Sequence, residues 1–130
     1  MSIISYLNST SFSFNGNRLN DQKSRIGILH FLAHEYFHHY NVKRIRPVEL
    51  GPFDYDKGSR TKMLWVSEGL TVYYEYPVVR RGGISSDSDV LNALRANIHG
   101  YENKPGRHFQ TLAQSSYETW SVGPFGRTGG

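Results

Sequence analysis

In the stretch with the clearest helical periodicity, two histidines stand four residues apart, with a glutamate directly after the first: His34-Glu35-Tyr36-Phe37-His38. Apolar residues recur at Ile26, Leu29, Leu32, Ala33, Tyr36, Phe37 and Tyr40, near the 3.6-residue period, and Asn20 or Asp21 can cap the start. Positions i and i+4 share one face of a helix, so both imidazoles can reach a single Zn²⁺ at about 2.0–2.1 Å. Glu35 sits one residue further round, where a carboxylate reaches a water on the metal rather than the metal itself. That is the place of a general base for peptide hydrolysis.

A catalytic zinc needs a third protein ligand and one open position. The candidate is Glu68 in Trp65-Val66-Ser67-Glu68-Gly69-Leu70-Thr71, on a second helix, with 29 residues between it and His38 to form a loop and a return. Two helices packed 8–10 Å apart, as helix pairs are, can bring two imidazoles and a carboxylate to one point. The sequence has no cysteine, which excludes thiolate zinc sites, iron–sulfur clusters and thiol nucleophiles and leaves metal binding to His and carboxylates. The expected set is therefore His34, His38 and Glu68 around one Zn²⁺, with Glu35 as catalytic base. His30 shares the metal face and reads as a supporting or packed side chain. His39 points about 100° away from His38, towards the surface or a loop. His99 and His108 carry no spacing signal. Tyr73 and Tyr74 could donate to an oxyanion, though packing is the commoner use of such aromatics.

At 130 residues the chain suits one domain, and 38% hydrophobic with 20% charged residues excludes disorder of the low-hydrophobicity, high-charge kind. Tyr6 to Phe14 alternates bulky and small polar side chains before Asn15-Gly16-Asn17, which predicts a strand and a turn. The first helix is expected to end near Asn41 to Lys43, because Pro47 disfavours helix at Arg46, and positions 47–59 read as a long ordered loop. Further helices are expected over 61–79, 86–99 and 108–120. Ser86 and Asp89 make a capping box ahead of Val90, Leu91, Leu94 and Ile98, and Phe109, Leu112, Ala113, Ser116, Tyr117 and Trp120 mark the inner face of the last helix. The fold class is mainly α with a short N-terminal β-strand, an α+β arrangement of about four helices. Positions 1–121 form the folded unit, and 122–130, rich in glycine, a flexible tail.

The net charge of +4 permits an acidic partner without requiring one. Lys43, Arg44 and Arg46 could contact phosphate, but no aromatic platform is interleaved and prolines follow, so a loop-anchoring role is preferred and no nucleic-acid partner is expected. No apolar run approaches the ~20 residues of a membrane span. The N-terminus has no signal-peptide pattern. The compartment is left open, a bacterial cytoplasm or periplasm both being compatible.

Two long motifs bear a resemblance. The run His34-Glu35-Tyr36-Phe37-His38-His39-Tyr40-Asn41-Val42-Lys43-Arg44-Ile45-Arg46-Pro47-Val48-Glu49-Leu50-Gly51-Pro52-Phe53-Asp54-Tyr55 closely resembles the glycyl aminopeptidases, gluzincin zinc metallopeptidases that usually carry a PDZ domain, and so does Leu64-Trp65-Val66-Ser67-Glu68-Gly69-Leu70-Thr71-Val72-Tyr73-Tyr74-Glu75. The resemblance runs from about Leu7 to Trp120. It implies a partial zincin, thermolysin-like catalytic domain in which His34, His38 and Glu68 hold zinc and Glu35 polarises the attacking water. It also implies a peptide substrate that loses a small N-terminal residue, glycine or alanine, and a PDZ domain in the full-length protein that this chain lacks. Where the family has a Gly-Leu-Glu-His-type segment, this chain has Ile3-Ile4-Ser5-Tyr6, with no acid. The leading reading is thus metal-assisted amide hydrolysis. The alternative is a catalytically incompetent zinc-binding piece with a structural or peptide-binding role. Exposed apolar faces on the helices are expected in either case.

Overall fold

The computed structural model describes residues 2–5, 8–54, 56, 58–119 and 121. The elements run β1 (Ser2–Ser5), β2 (Thr10–Ser13), α1 (Gln22–Phe37), α2 (Leu64–Arg81), α3 (Asp87–Glu102) and α4 (Leu112–Glu118), with short 3₁₀ turns at Gly16–Leu19, Val48–Leu50 and Pro105–His108. The mainly helical class with four helices matches the sequence expectation. The single strand expected over Tyr6 to Phe14 is instead the shorter β2. It pairs antiparallel with β1, Ser2 opposite Ser13 and Ser5 opposite Thr10. Alternation puts Thr10 and Phe12 on one face of β2, turned towards α1: Phe12 meets the Phe31 ring edge-on at 6.0 Å.

Asp21 caps α1, its carboxylate accepting from the Ser24 N–H at 2.7 Å. The helix ends at Phe37, several residues short of the expected Asn41 to Lys43. His38, His39, Tyr40, Asn41 and Val42 all come from the weaker helix formers, and the next N–H groups tighten onto i−3 carbonyls, His39 to Tyr36 and Tyr40 to Phe37. Pro47 is therefore not the stop.

α2 starts three residues later than expected and runs two further, straight through Pro77. Its first turn borrows a partner from α4, the Trp65 N–H donating to Ser116 Oγ at 3.0 Å while that hydroxyl donates to the Leu112 carbonyl. The capping box at α3 forms as expected, and the helix continues to Glu102. The last helix is shorter than 108–120 because Thr111 caps it, leaving a separate turn at Pro105–His108 and an exposed Phe109. Of the inner face expected there, Ser116 is buried, whereas Leu112 and Tyr117 are exposed; Trp120 and the tail at 122–130 lie outside the described residues.

α1 and α2 make the most extensive contact in the molecule. Contacts step up one helix and down the other, from His30 beside Tyr76, through His34 beside Glu75 and Phe37 on Tyr74, to His38 beside Thr71. The pair is antiparallel, as the ligand argument requires. Among the described residues the buried apolar core is small: Ile28, Leu50 and Val79. Ile28 is off the stripe read from the sequence, and Tyr36 and Tyr40, which were on it, are exposed. The expectation of exposed apolar side chains holds. Among the described residues no helix is long and apolar enough to cross a membrane.

Candidate metal centre

His34 lies in the last turn of α1, His38 at its C-cap and Glu68 one turn into α2. One ligand atom from each falls within 4.8 Å of the others. Glu68 Oε2 is 3.4 Å from His34 Nε2 and 3.5 Å from His38 Nε2. Those separations exceed an ordinary N–H···O hydrogen bond. They match the edge, roughly 3.4 Å, of a tetrahedron whose corners lie 2.0–2.2 Å from a central Zn²⁺. The donor set, two imidazoles and one carboxylate, is that of a catalytic zinc with a fourth position open. The Glu68 side chain is about half exposed (47%) and borders a crevice of about 180 Å³ between α2 and α4, so the cluster is open to solvent.

The outer ring nitrogens are also held. His34 Nδ1 is 2.9 Å from Glu75 Oε2, and His38 Nδ1 is 3.1 Å from the Asn41 carbonyl. Both partners accept, so each Nδ1 is placed to donate to them, and Nε2 is the ring nitrogen turned to Glu68. His30 stands behind, its Nδ1 3.8 Å from Glu75 Oε1 and its ring 5.0 Å from that of Tyr76, the supporting position expected for it. Sequence reasoning missed Glu75. Its signal was there: seven residues after Glu68 is two turns along the same face of α2.

Without a metal the cluster is a proton-filled ion group. Burial works to lower the His34 pKa, but its contacts with Glu68 and Glu75 outweigh this and raise it to about 9. His38 is likewise lowered by burial but raised overall by Glu68 and the Asn41 carbonyl. Burial would raise Glu68, whereas the two histidines hold it down at about 2. A metal ion must displace those protons, so metal affinity falls with acidity.

Glu35 is half-buried on α1 and is not one of the three converging donors. It lines an open cleft of about 300 Å³ with His30, Phe31, His34 and Glu75. His39 departs from its expected surface position. It is buried, and its Nε2 lies 2.6 Å from Thr10 Oγ1, tying the end of α1 to β2. Tyr73 and Tyr74 are exposed; Tyr74 stacks on Phe37 at 4.9 Å. The basic cluster anchors its loop. Arg44 donates to Asn8 Oδ1, and Lys43 and Arg46 sit over the Phe53 ring at 5.8 and 5.0 Å.

The antiparallel helix pair brings together a His₂Glu group that could hold a metal ion. A family model for M61 glycyl aminopeptidase matches residues 27–127, most of the sequence, and the chain belongs to this peptidase family. The span contains both motifs, including His34, Glu35, His38 and Glu68. No curated protein and no solved structure is significantly similar.

Proposed function

We propose that the chain holds one Zn²⁺ through His34, His38 and Glu68 and hydrolyses peptide bonds, releasing small N-terminal residues such as glycine or alanine. The observation that carries this reading is the convergence of the three donors, with the Glu68 carboxylate 3.4 and 3.5 Å from the two imidazole nitrogens, inside a chain of a peptidase family. Zinc held there would supply Lewis acidity, polarising a scissile carbonyl and lowering the pKa of a water towards about 7.

The chain's own residues divide the rest of the work. His34 and His38 act as neutral imidazoles, oriented by the acceptors on their Nδ1 atoms, Glu75 and the Asn41 carbonyl. Glu68 adds a single negative charge from the opposite helix. Glu35 takes the proton of the attacking water and passes it to the departing amine nitrogen, the two half-steps of general base and general acid. The half-exposed flank of Glu68 is the side from which a peptide can approach.

The test is zinc stoichiometry after dialysis, followed by turnover of glycyl and alanyl anilides. One zinc per chain and chelator-sensitive hydrolysis are expected. Hydrolysis that persists after zinc is removed would sink the zinc reading. A second reading, zinc binding without turnover, is favoured by the lack of an acid over positions 3–6. Full zinc occupancy with no hydrolysis of either substrate would select it.

A further inference from the structure

We infer that Asn41 is a positioning residue for this centre, its amide tying the chain just past the histidine-bearing helix to the turn of α2 that carries Glu68. The inference rests on the metal reading above and names how its two halves are kept in register.

Asn41 uses both its backbone and its side chain. Its carbonyl accepts from His38 Nδ1 at 3.1 Å. Its amide Nδ2 donates to the Ser67 carbonyl at 2.6 Å and to Thr71 Oγ1 at 3.0 Å. Ser67 and Thr71 flank Glu68 by one residue before and three after, and both are buried. Thr71 Oγ1 in turn donates to the Ser67 carbonyl at 2.8 Å and lies 3.4 Å from His38 Nδ1. The Asn41 carbonyl and Thr71 Oγ1, which both face the outer nitrogen of His38, thus belong to one network, and the Asn41 amide carries it across to α2. The residue type follows from the chemistry. An amide offers two N–H donors to two acceptors, whereas an aspartate would set a carboxylate against the Ser67 carbonyl.

The backbone supplies a second, independent observation. Val42, the next residue, is β-branched yet has φ 121°, a region that L side chains rarely adopt. A conformation of that kind persists only where its surroundings over-determine it. Here Val42 N–H donates to the Ile45 carbonyl, Lys43 N–H to the His38 carbonyl and Ile45 N–H to the Tyr40 carbonyl, closing the turn at 2.8–3.1 Å. The turn lets Asn41 face His38 with its carbonyl and α2 with its side chain.

The experiment uses the 130-residue chain with Asn41→Ala, Thr71→Val and Thr71→Ser. Zinc affinity is measured by competition with a chromophoric chelator, the visible spectrum is recorded with Co²⁺, and the melting midpoint is taken without metal. Asn41→Ala is expected to weaken zinc binding about 10–100-fold and to alter the Co²⁺ ligand-field bands, with helical circular dichroism retained. Thr71→Val, which removes one acceptor of two, is expected to lose about 2- to 10-fold, and Thr71→Ser to bind as the parent does. A lowered metal-free midpoint with parental zinc affinity and parental Co²⁺ bands would mean a merely structural asparagine and overturn the inference. If Asn41→Ala does not fold, equal zinc affinity of the Thr71 valine and serine variants would overturn it in its place. A parent chain that binds no zinc brings down the metal reading and this inference together, a result distinct from a parent that binds and variants that match it.

Discussion

The α1–α2 face and the α3–α4 side of the molecule are held by different physics. Across α1–α2 the contacts are directional and polar. His34, His38, Asn41, Thr71 and Glu75 each meet a named partner across the helix pair or at its end. On the other side the helices form from local signals: the Ser86–Asp89 capping box, the Arg80–Asp87 ion pair and the Thr111 cap. Their apolar faces are poorly covered, with Leu91 66%, Ile98 64% and Phe109 86% exposed. Between α2 and α3 the buried Ser85 hydroxyl has no hydrogen-bond partner among the described residues. Helix formation and helix docking are thus separable, and the chain spends its directional contacts on the docking that builds the centre.

The sharpest way to break this contrast is to remove chemistry without removing structure. Glu35→Gln is expected to cut anilide hydrolysis by about 10²–10⁴-fold with zinc content unchanged. Retained hydrolysis would take the base assignment away from Glu35. Next in size is the small core. Ile28→Ala, at 1% exposure, is expected to cost about 2–5 kcal/mol in denaturant unfolding, because a buried side chain is removed and a cavity is left. A value near zero would mean that apolar burial on α1 adds little to stability.

Glu75→Gln keeps the shape but withdraws the charge behind His34, and about a 10–100-fold loss of zinc affinity is expected by chelator competition. Acidity sharpens the same point. His34, raised from 6.5 to about 9, contributes stability that is full below pH 6.5 and lost as pH rises through about 9. Glu68, lowered from 4.5 to about 2, contributes stability that is full above pH 4.5 and lost as pH falls through about 2. The metal-free melting midpoint should therefore peak between pH 4.5 and 6.5, and zinc affinity should climb with pH towards about 9. A metal-free profile that is flat from pH 3 to 9 would show that the cluster does not couple to folding. Smallest of all, Leu91→Ser on α3 is expected to change stability by no more than about 0.5 kcal/mol, since it removes little burial.

Much of the candidate centre is legible in the sequence. A four-residue histidine spacing inside a helical period is a local statement, and helix geometry turns it directly into a shared face. Caps are local too, which is why the sequence narrows the first cap to Asn20 or Asp21, of which Asp21 caps, and shows the Ser86–Asp89 box outright. Helix ends were read less well. The stop at Phe37 lies in a run of weak helix formers that the apolar period carried past, and the start at Leu64 is met by a hydroxyl from α4. Glu75 left a signal two turns beyond Glu68. Asn41 left none, because its partners lie 26 and 30 residues away.

Sequence alone determined which side chains could serve a metal, that two of them share a helix face, and that the chain is mainly helical, since each of these follows from short-range spacing and composition. Only the tertiary structure decided which carboxylate meets which imidazole nitrogen, which histidine is buried against a strand and which apolar faces stay in water. Those outcomes depend on how helices distant in the chain come to rest on one another, and no local period encodes that.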